Sequence, residues 1–266
     1  MERKEYSMMD VAPTVSAVLG LPVPAQAKGK PIAEMAQDLA GVPRVAVLAP
    51  DALGEFAWSL WKQEMPFLRS LHARRSILLR SVMPSITPVN FATMVTGTDL
   101  EGHGVRSREL PFACETLFDV VRRAGGKSAG IGLDNYTGTM LLARHADIAG
   151  NAGRGTDDDV ADLILRIAAE QQPTFLIVQL GRVDDTFHKH GPSSPAVAPM
   201  LRDTDARLGR LVEGLTALQY GVILLADHGQ HDVLGPDGKV TGGSHGTDSD
   251  QDCLVPCTWS AGAQAA

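Results

Sequence analysis

Asp51, Thr87, Asp184, His188, Asp227, His228 and His245 combine carboxylates, imidazoles and one hydroxyl in an order that suits metal-assisted chemistry. Three carboxylates and three imidazoles make an N/O donor set for divalent ions, zinc or manganese before calcium. Asp184 and His188 stand four residues apart and share one face of a helical turn, so both can grip one ion. Asp227 and His228 are adjacent at the end of an apolar run, where two side chains can splay toward one ion. Each residue alone has a plainer reading. Asp at a strand end commonly turns the chain, a lone loop histidine such as His245 is commonly solvated, and Thr87 before Pro88 is an ordinary helix cap. What makes them candidates is that they follow successive strands.

The elements that must position them are readable from hydrophobic periodicity. Apolar runs at Val45–Ala49, Ser76–Val82, Ser128–Leu133, Thr174–Leu180, Gly221–Ala226 and Cys253–Pro256 predict strands. Helical patterns occupy residues 8–20, a short piece around Ile32–Leu39, 55–73, 90–97, 113–124, 157–170 and 196–218, with Gly20 and Gly125-Gly126 as stops. Alternating strands and helices, the strands buried on both faces, predict an α/β fold with a mostly parallel central sheet and helices on both faces. In such sheets a ligand site lies beyond the carboxyl ends of the strands, which is where the seven residues fall. No long linker or internal repeat divides the chain, so residues 1–266 read as one domain.

Thr87 is the pivot of this pattern. It reads as the N-cap of a helix with Pro88 at the first helical position, so its hydroxyl faces free amides and the positive end of the helix dipole. That is a suitable place to hold an anion such as phosphate.

Composition narrows the function. Hydrophobic residues at 44% and charged residues at 21% describe a soluble globular protein, and a net charge of −7 argues against binding a nucleic-acid backbone. No apolar run is long enough to span a membrane, and the N-terminus has no signal-like apolar stretch. Three cysteines predict a reducing, cytoplasmic setting, with Cys253 and Cys257 as packing residues.

These residues resemble the alkaline phosphatase superfamily, in particular its nucleotide pyrophosphatase/phosphodiesterase-like branch. The matching segments are Asp51 after a strand, Thr87-Pro88-Val89-Asn90 with Val95-Thr96-Gly97 and His103-Gly104, and Asp184 with His188-Lys189-His190-Gly191-Pro192. Asp227-His228-Gly229 and Ser244-His245-Gly246 complete the set. They cover most of residues 44–260; the Cys/Ser-x-Pro-x-Arg motif of the sulfatase branch is absent. The resemblance implies two zinc ions, one held by Asp184, His188 and His245, the other by Asp51, Asp227, His228 and Thr87. It also implies that residues 1–40, which include Ser7 to Pro24, correspond to a segment that usually follows the final histidine. The order here suggests a circular permutation, with residues 1–40 packed beside 253–259 and Met1 close to Ala266.

The expected chemistry is hydrolysis of a phosphoric ester on a small phosphorylated substrate, with Thr87 as nucleophile and a phospho-threonine intermediate. Asn90 and the Thr87 amide are expected to donate to nonbridging phosphate oxygens, and His103 and His190 to be structural or to support the ligands. No Lys or Arg is evident beside Thr87, which tilts the expectation from monoesters toward diesters. A phosphomonoesterase, a phosphonate hydrolase of the phosphonoacetate type and a non-catalytic metal-binding relative are the alternatives.

Overall fold

The long apolar runs become the inner strands of one sheet. The computed structural model describes residues 3–261, with strands β1 (Glu5–Ser7), β2 (Arg44–Pro50), β3 (Ile77–Arg80), β4 (Ser128–Gly132) and β5 (Ile148–Asn151). β6 (Phe175–Leu180), β7 (Tyr220–Leu225), β8 (His231–Leu234), β9 (Val240–Ser244) and β10 (Leu254–Ala261) follow. Eight of them form a sheet of order β1-β3-β10-β7-β2-β6-β4-β5, while β8 and β9 pair separately as an antiparallel hairpin. β10 is antiparallel to both of its neighbours, and the other pairings in the large sheet are parallel. β2, β6 and β7 are buried along nearly their whole length, as continuous apolar strands covered on both faces should be.

Two sets of helices cover the faces. Val11–Leu19, Ala33–Asp38, Thr87–Thr96 and Leu117–Arg123 pack among themselves, and Pro66–His72, Asp157–Glu170 and Ala198–Ala217 form the second set. One hydrophobic cluster runs through both, from Met8 to Trp259. The expected α/β fold with a mostly parallel sheet is the one observed.

Some boundaries differ from the sequence reading. The helical segment expected over 55–73 is two helices, Glu55–Trp61 and Pro66–His72. The break falls at Pro66, which lacks the N–H a continuous helix would need. Residues 8–20 divide into a 3-10 turn, Met8–Asp10, and a helix, Val11–Leu19, closed by Gly20 at φ 65°. The first residues form an edge strand: β1 pairs with β3, which separates it from β10. Contact between residues 1–40 and 253–259 is nevertheless made by Asp38, whose carboxylate accepts the Trp259 indole N–H at 3.0 Å. Met1 and Ala266, expected to lie close together, fall outside the described residues.

Parallel order places the carboxyl ends of β2, β6 and β7 side by side. Asp51 follows β2, Arg182–His190 is a helix begun two residues after β6, and Asp227-His228 follows β7.

Candidate metal centre

Two groups of side chains converge at that edge. Asp51, Asp227 and His228 bring ligand atoms within 4.8 Å of one another, and so do Asp184, His188 and His245. The two trios adjoin: the His228 and His245 rings stack at 3.9 Å between centroids, and His245 lies 5.1 Å from His188. Of the seven residues expected as ligands, the six carboxylates and imidazoles are therefore brought together in two trios, divided as the family resemblance implies. Their exposure differs. Asp51, Asp227 and His228 are buried, whereas the His188 side chain is 44% exposed.

Each histidine is oriented through its second nitrogen. Nδ1 of His188 faces the Gly243 carbonyl, Nδ1 of His228 the Gly229 carbonyl and Nδ1 of His245 the Ser85 carbonyl, all at 3.0 Å. A carbonyl can only accept, so Nδ1 carries a proton, and in a neutral ring that leaves the Nε2 lone pair for the centre, the tautomer a metal ligand needs. Burial also favours the neutral rings, lowering the pKa of His228 and, with His228 beside it, that of His245.

The carboxylates fit divalent ions equally well. Asp51 Oδ1 and Asp227 Oδ2 are buried and have no hydrogen-bond partner. Burial, reinforced by the charges of Asp227 and Asp184, pushes the Asp51 carboxyl well above its usual range, and burial raises Asp227 too. Two buried, unpaired anionic oxygens side by side are costly unless a cation lies between them. Their other oxygens are fixed: Gln179 Nε2 donates to Asp51 Oδ2 at 2.5 Å and Ala52 N to Asp227 Oδ1 at 3.1 Å. Ala52 holds φ 65°, a left-handed conformation unusual for a residue with a Cβ, at the point where the chain leaves β2.

Thr87 lies beside the buried trio, its Oγ1 3.1 Å from His228 Nε2. Its expected role as N-cap is not what the structure shows. Thr87 is the first residue of the helix Thr87–Thr96, Ile86 takes the extended cap position, and no side chain caps the end. The hydroxyl faces the centre instead of a backbone amide.

Asn90 is a second correction. It is fully buried, its Oδ1 accepts the Val82 amide at 2.8 Å, and its Nδ2 lies near the carbonyls of Val82, Pro84 and Ile86. With its amide engaged by residues 82–86, it braces the loop that presents Thr87 and is not directed at a phosphate. That loop also reaches His245, through the Ser85 carbonyl and the Ser85 hydroxyl on Thr247 O at 2.7 Å.

His103 is structural. Val105 N donates to its Nδ1 at 3.1 Å and Thr93 Oγ1 lies 3.3 Å from its Nε2. His190 closes the helix Arg182–His190 and belongs to neither ligand trio.

Several contributors carried no signal in the sequence. Gln179 sits in a strand and Gln230 after one, yet Gln230 Nε2 donates to Asp184 Oδ1 at 2.5 Å. Asp252, buried, accepts the Thr247 amide at 3.0 Å and lies 2.8 Å from His231 Nδ1, fixing the loop that carries His245. Thr87 and Asp51 open onto a cleft of ≈ 510 Å³ whose walls include Arg106, Arg108 and Tyr136. The sequence showed no cation beside Thr87; the loop after Leu100–His103 places two, Arg106 and Arg108, on the wall of the same cleft, which Asp184, Asp185 and Glu109 also line.

Fold and centre together define an α/β protein with two adjoining groups of side chains that could hold metal ions, and a hydroxyl, at the carboxyl ends of its strands. A family model described as type I phosphodiesterase / nucleotide pyrophosphatase matches residues 45–110 and 128–244, and the chain belongs to that family. Venom phosphodiesterase 2 of Crotalus adamanteus is 36% identical over 205 residues, covering 65% of this chain and 25% of that protein. A venom phosphodiesterase of Naja atra is 26% identical over 212 residues, with 65% and 24% covered. The chain thus spans about a quarter of the length of these curated relatives.

Among solved structures, human ectonucleotide pyrophosphatase/phosphodiesterase 5 superposes with a TM-score of 0.65 at 15% identity, covering 83% of this chain and 88% of that one. Phosphonoacetate hydrolase from Sinorhizobium meliloti, in complex with phosphonoacetate, gives 0.58 at 19% identity, with 74% and 59% covered. At such identities these two likenesses concern the fold.

Proposed function

We propose that this chain is a two-metal hydrolase of phosphoric esters, of the phosphodiesterase and nucleotide pyrophosphatase type, acting through a phospho-threonine on Thr87. The observation that carries the reading is the placement of Thr87 Oγ1 beside two adjoining ligand trios, one of which holds two buried carboxylate oxygens without partners. Asp184, His188 and His245 would hold one ion, and Asp51, Asp227 and His228 with Thr87 the other. Zinc suits this mixed imidazole and carboxylate donor set best, and manganese is the alternative. Bound there, the ions would supply Lewis acidity at the phosphoryl oxygens and lower the pKa of water.

The chain's own part is positional. Thr87 Oγ attacks the phosphorus, the ester bond to the leaving group breaks and the hydroxyl proton ends on the departing alcohol; water later adds to the phosphorus of the phospho-threonine, which releases the phosphate product and restores the hydroxyl. The Thr87 amide, at the open end of its helix, can donate to a nonbridging oxygen. Asn90 keeps the loop rigid under this step. The substrate is a small phosphorylated molecule. A reducing compartment accords with three free cysteines, of which Cys253 and Cys257 are buried packing residues.

The order of segments supports a circularly permuted member of the family. Glu5 begins β1 and Ala261 ends β10 at the sheet end opposite the ligands, with only β3 between the two strands.

The test is hydrolysis of bis-p-nitrophenyl phosphate and p-nitrophenyl phosphate by metal-free protein resupplied with zinc or manganese. Metal-dependent turnover, with a loss of about 1,000-fold or more in Thr87→Ala, is expected for a lost nucleophile. A Thr87→Ala variant as active as the parent would exclude the covalent route. Metal binding without turnover of either ester would make the chain a non-catalytic relative.

A further inference from the structure

Two buried glutamines stand beside the metal centre, and each touches a different half of it. Gln179 is 2% exposed in β6, where every other residue is apolar, and Gln230 is 1% exposed in the segment after β7. Gln179 Nε2 donates to Asp51 Oδ2, in the trio of Asp51, Asp227 and His228. Gln230 Nε2 donates to Asp184 Oδ1, in the trio of Asp184, His188 and His245. Both contacts measure 2.5 Å.

Burying a carboxamide is costly unless its polar atoms are paired, so both positions call for a reason. Gln179 is fixed at both ends. Its Oε1 accepts the Gly138 amide at 2.7 Å, at the start of a π-helical segment, Gly138–Leu142. A backbone N–H can only donate, which turns Nε2 toward Asp51. Gln230 is held at one end, because its Oε1 is buried without a hydrogen-bond partner. What the side chain keeps against that cost is the contact with Asp184. Gln230 also abuts the residue that orients His188: a Cβ on Gly243 would lie 2.4 Å from Gln230 Oε1, and the Gly243 carbonyl faces His188 Nδ1.

The charge of the donor matters. Among the described residues no Lys or Arg forms an ion pair with Asp51, Asp184 or Asp227, which meet only the histidines of the centre in that way. A lysine or arginine in place of either glutamine would neutralise the carboxylate and compete with a divalent ion. A carboxamide N–H holds one oxygen still and leaves the negative charge for the ion. On Asp51 the oxygen left is Oδ1, buried without a partner, and on Asp184 it is Oδ2, 3.4 Å from His188 Nε2.

We propose that Gln179 and Gln230 are positioning residues, one for each half of the centre, each fixing a ligand carboxylate so that a divalent ion binds through the oxygen left free. Gln179 serves the ion held by Asp51, Asp227 and His228, and Gln230 the ion held by Asp184, His188 and His245. This rests on the two-metal reading above.

The experiment measures the zinc stoichiometry and affinities of the metal-free full chain by competition with a chromophoric chelator. The parent, Gln179→Met and Gln230→Met are compared, each also in a His188→Ala background. Methionine keeps the length of the side chain and removes the N–H. The parent is expected to bind two zinc ions. Each single substitution should weaken one of them about 10- to 100-fold and leave the other within about threefold, as for a lost hydrogen bond to a ligand. His188→Ala removes a ligand from the half that Gln230 serves. In that background Gln230→Met should leave the remaining ion unchanged, and Gln179→Met should weaken it by the same factor as in the parent. Affinities within about threefold of the parent would overturn the proposal for that glutamine and leave the two-metal reading standing. Weakening of both ions together by either substitution would also overturn it, because the amide would then hold the fold and not one ligand. A parent that binds fewer than two zinc ions would remove the two-metal reading and this one with it.

Discussion

Asp51 and Asp227 show why the buried half of the centre calls for a cation. Each has one oxygen held by a neighbour and one buried without a partner, and both carboxyls are pushed upward by burial. Asp227→Asn should therefore have opposite effects on the two forms of the protein. Its Oδ1 can still accept the Ala52 amide, while the new NH₂ replaces the unpartnered oxygen and can donate toward Asp51. The metal-free variant is expected to melt at least about 2 °C above the metal-free parent, as relief of about 1 kcal/mol would give. The rise in Tm on adding zinc should shrink, because a ligand is lost. Thermal unfolding with chelator and with zinc measures both. A variant less stable without metal and unchanged in its zinc response would contradict this account. Asp51, Asp184, His188, Asp227 and His228 were legible because each follows a strand that was itself legible, whereas His245 follows β9, which reads as a loop, and was marked by the family resemblance. Asn90 was misread because three residues past Thr87 it could face either the site or the preceding loop, and only the packed loop decides. Gln179, Gln230 and Arg106 had no spacing to mark them.

At the scale of elements, the strands found from sequence are those buried on both faces, where a continuous apolar run is unambiguous. β1, β5 and the β8–β9 hairpin escaped because they are short and partly exposed. β9, Val240-Thr241-Gly242-Gly243-Ser244, reads as a loop and becomes a strand by pairing with β8. Its glycines admit the neighbouring helix, since a Cβ on Gly243 would lie 2.6 Å from the Phe187 carbonyl oxygen. That approach is also how Gly243 O reaches His188. The edge position of β1 bears on the order of segments. Because β1 starts and β10 finishes at the same end of the sheet, a short Gly/Ser linker from Ala266 to Met1 should be tolerated. The chain would be reopened at Gly41, an exposed residue at φ 86°. The relinked protein is expected to keep its far-ultraviolet circular dichroism, and its Tm with zinc should stay within about 5 °C of the parent, since few contacts change. Failure to fold in several linker lengths would count against the permuted origin. No helix among the described residues is long and apolar enough to cross a membrane.

For the molecule as a whole, acid sensitivity should come from histidines outside the metal centre as well as from ligand release. Burial pushes His103 down to about 4, with Asp99 acting weakly the other way, and burial with the Arg3 charge takes His72 to about 4. His103 must stay neutral to accept the Val105 amide on Nδ1. Both groups titrate near 6.5 in the unfolded chain, so between about 6.5 and 4 the unfolded state binds more protons. The stability they contribute is complete above pH 6.5 and is lost as pH falls through the folded values, by at most about 3 kcal/mol for each. Asp157 and Asp205, raised by burial, work in the opposite sense over the acid range. A difference between variants isolates the histidine from them. His103→Gln keeps an acceptor for Val105 and a donor for Thr93 but cannot take up a proton. In metal-free protein, denaturant unfolding from pH 7 to pH 4.5 should show a shallower loss of stability for His103→Gln than for the parent. The slopes should differ by up to about 1.4 kcal/mol per pH unit, the value for one proton. Parallel curves would mean that His103 is protonated in the fold and that the Val105 contact does not hold it neutral.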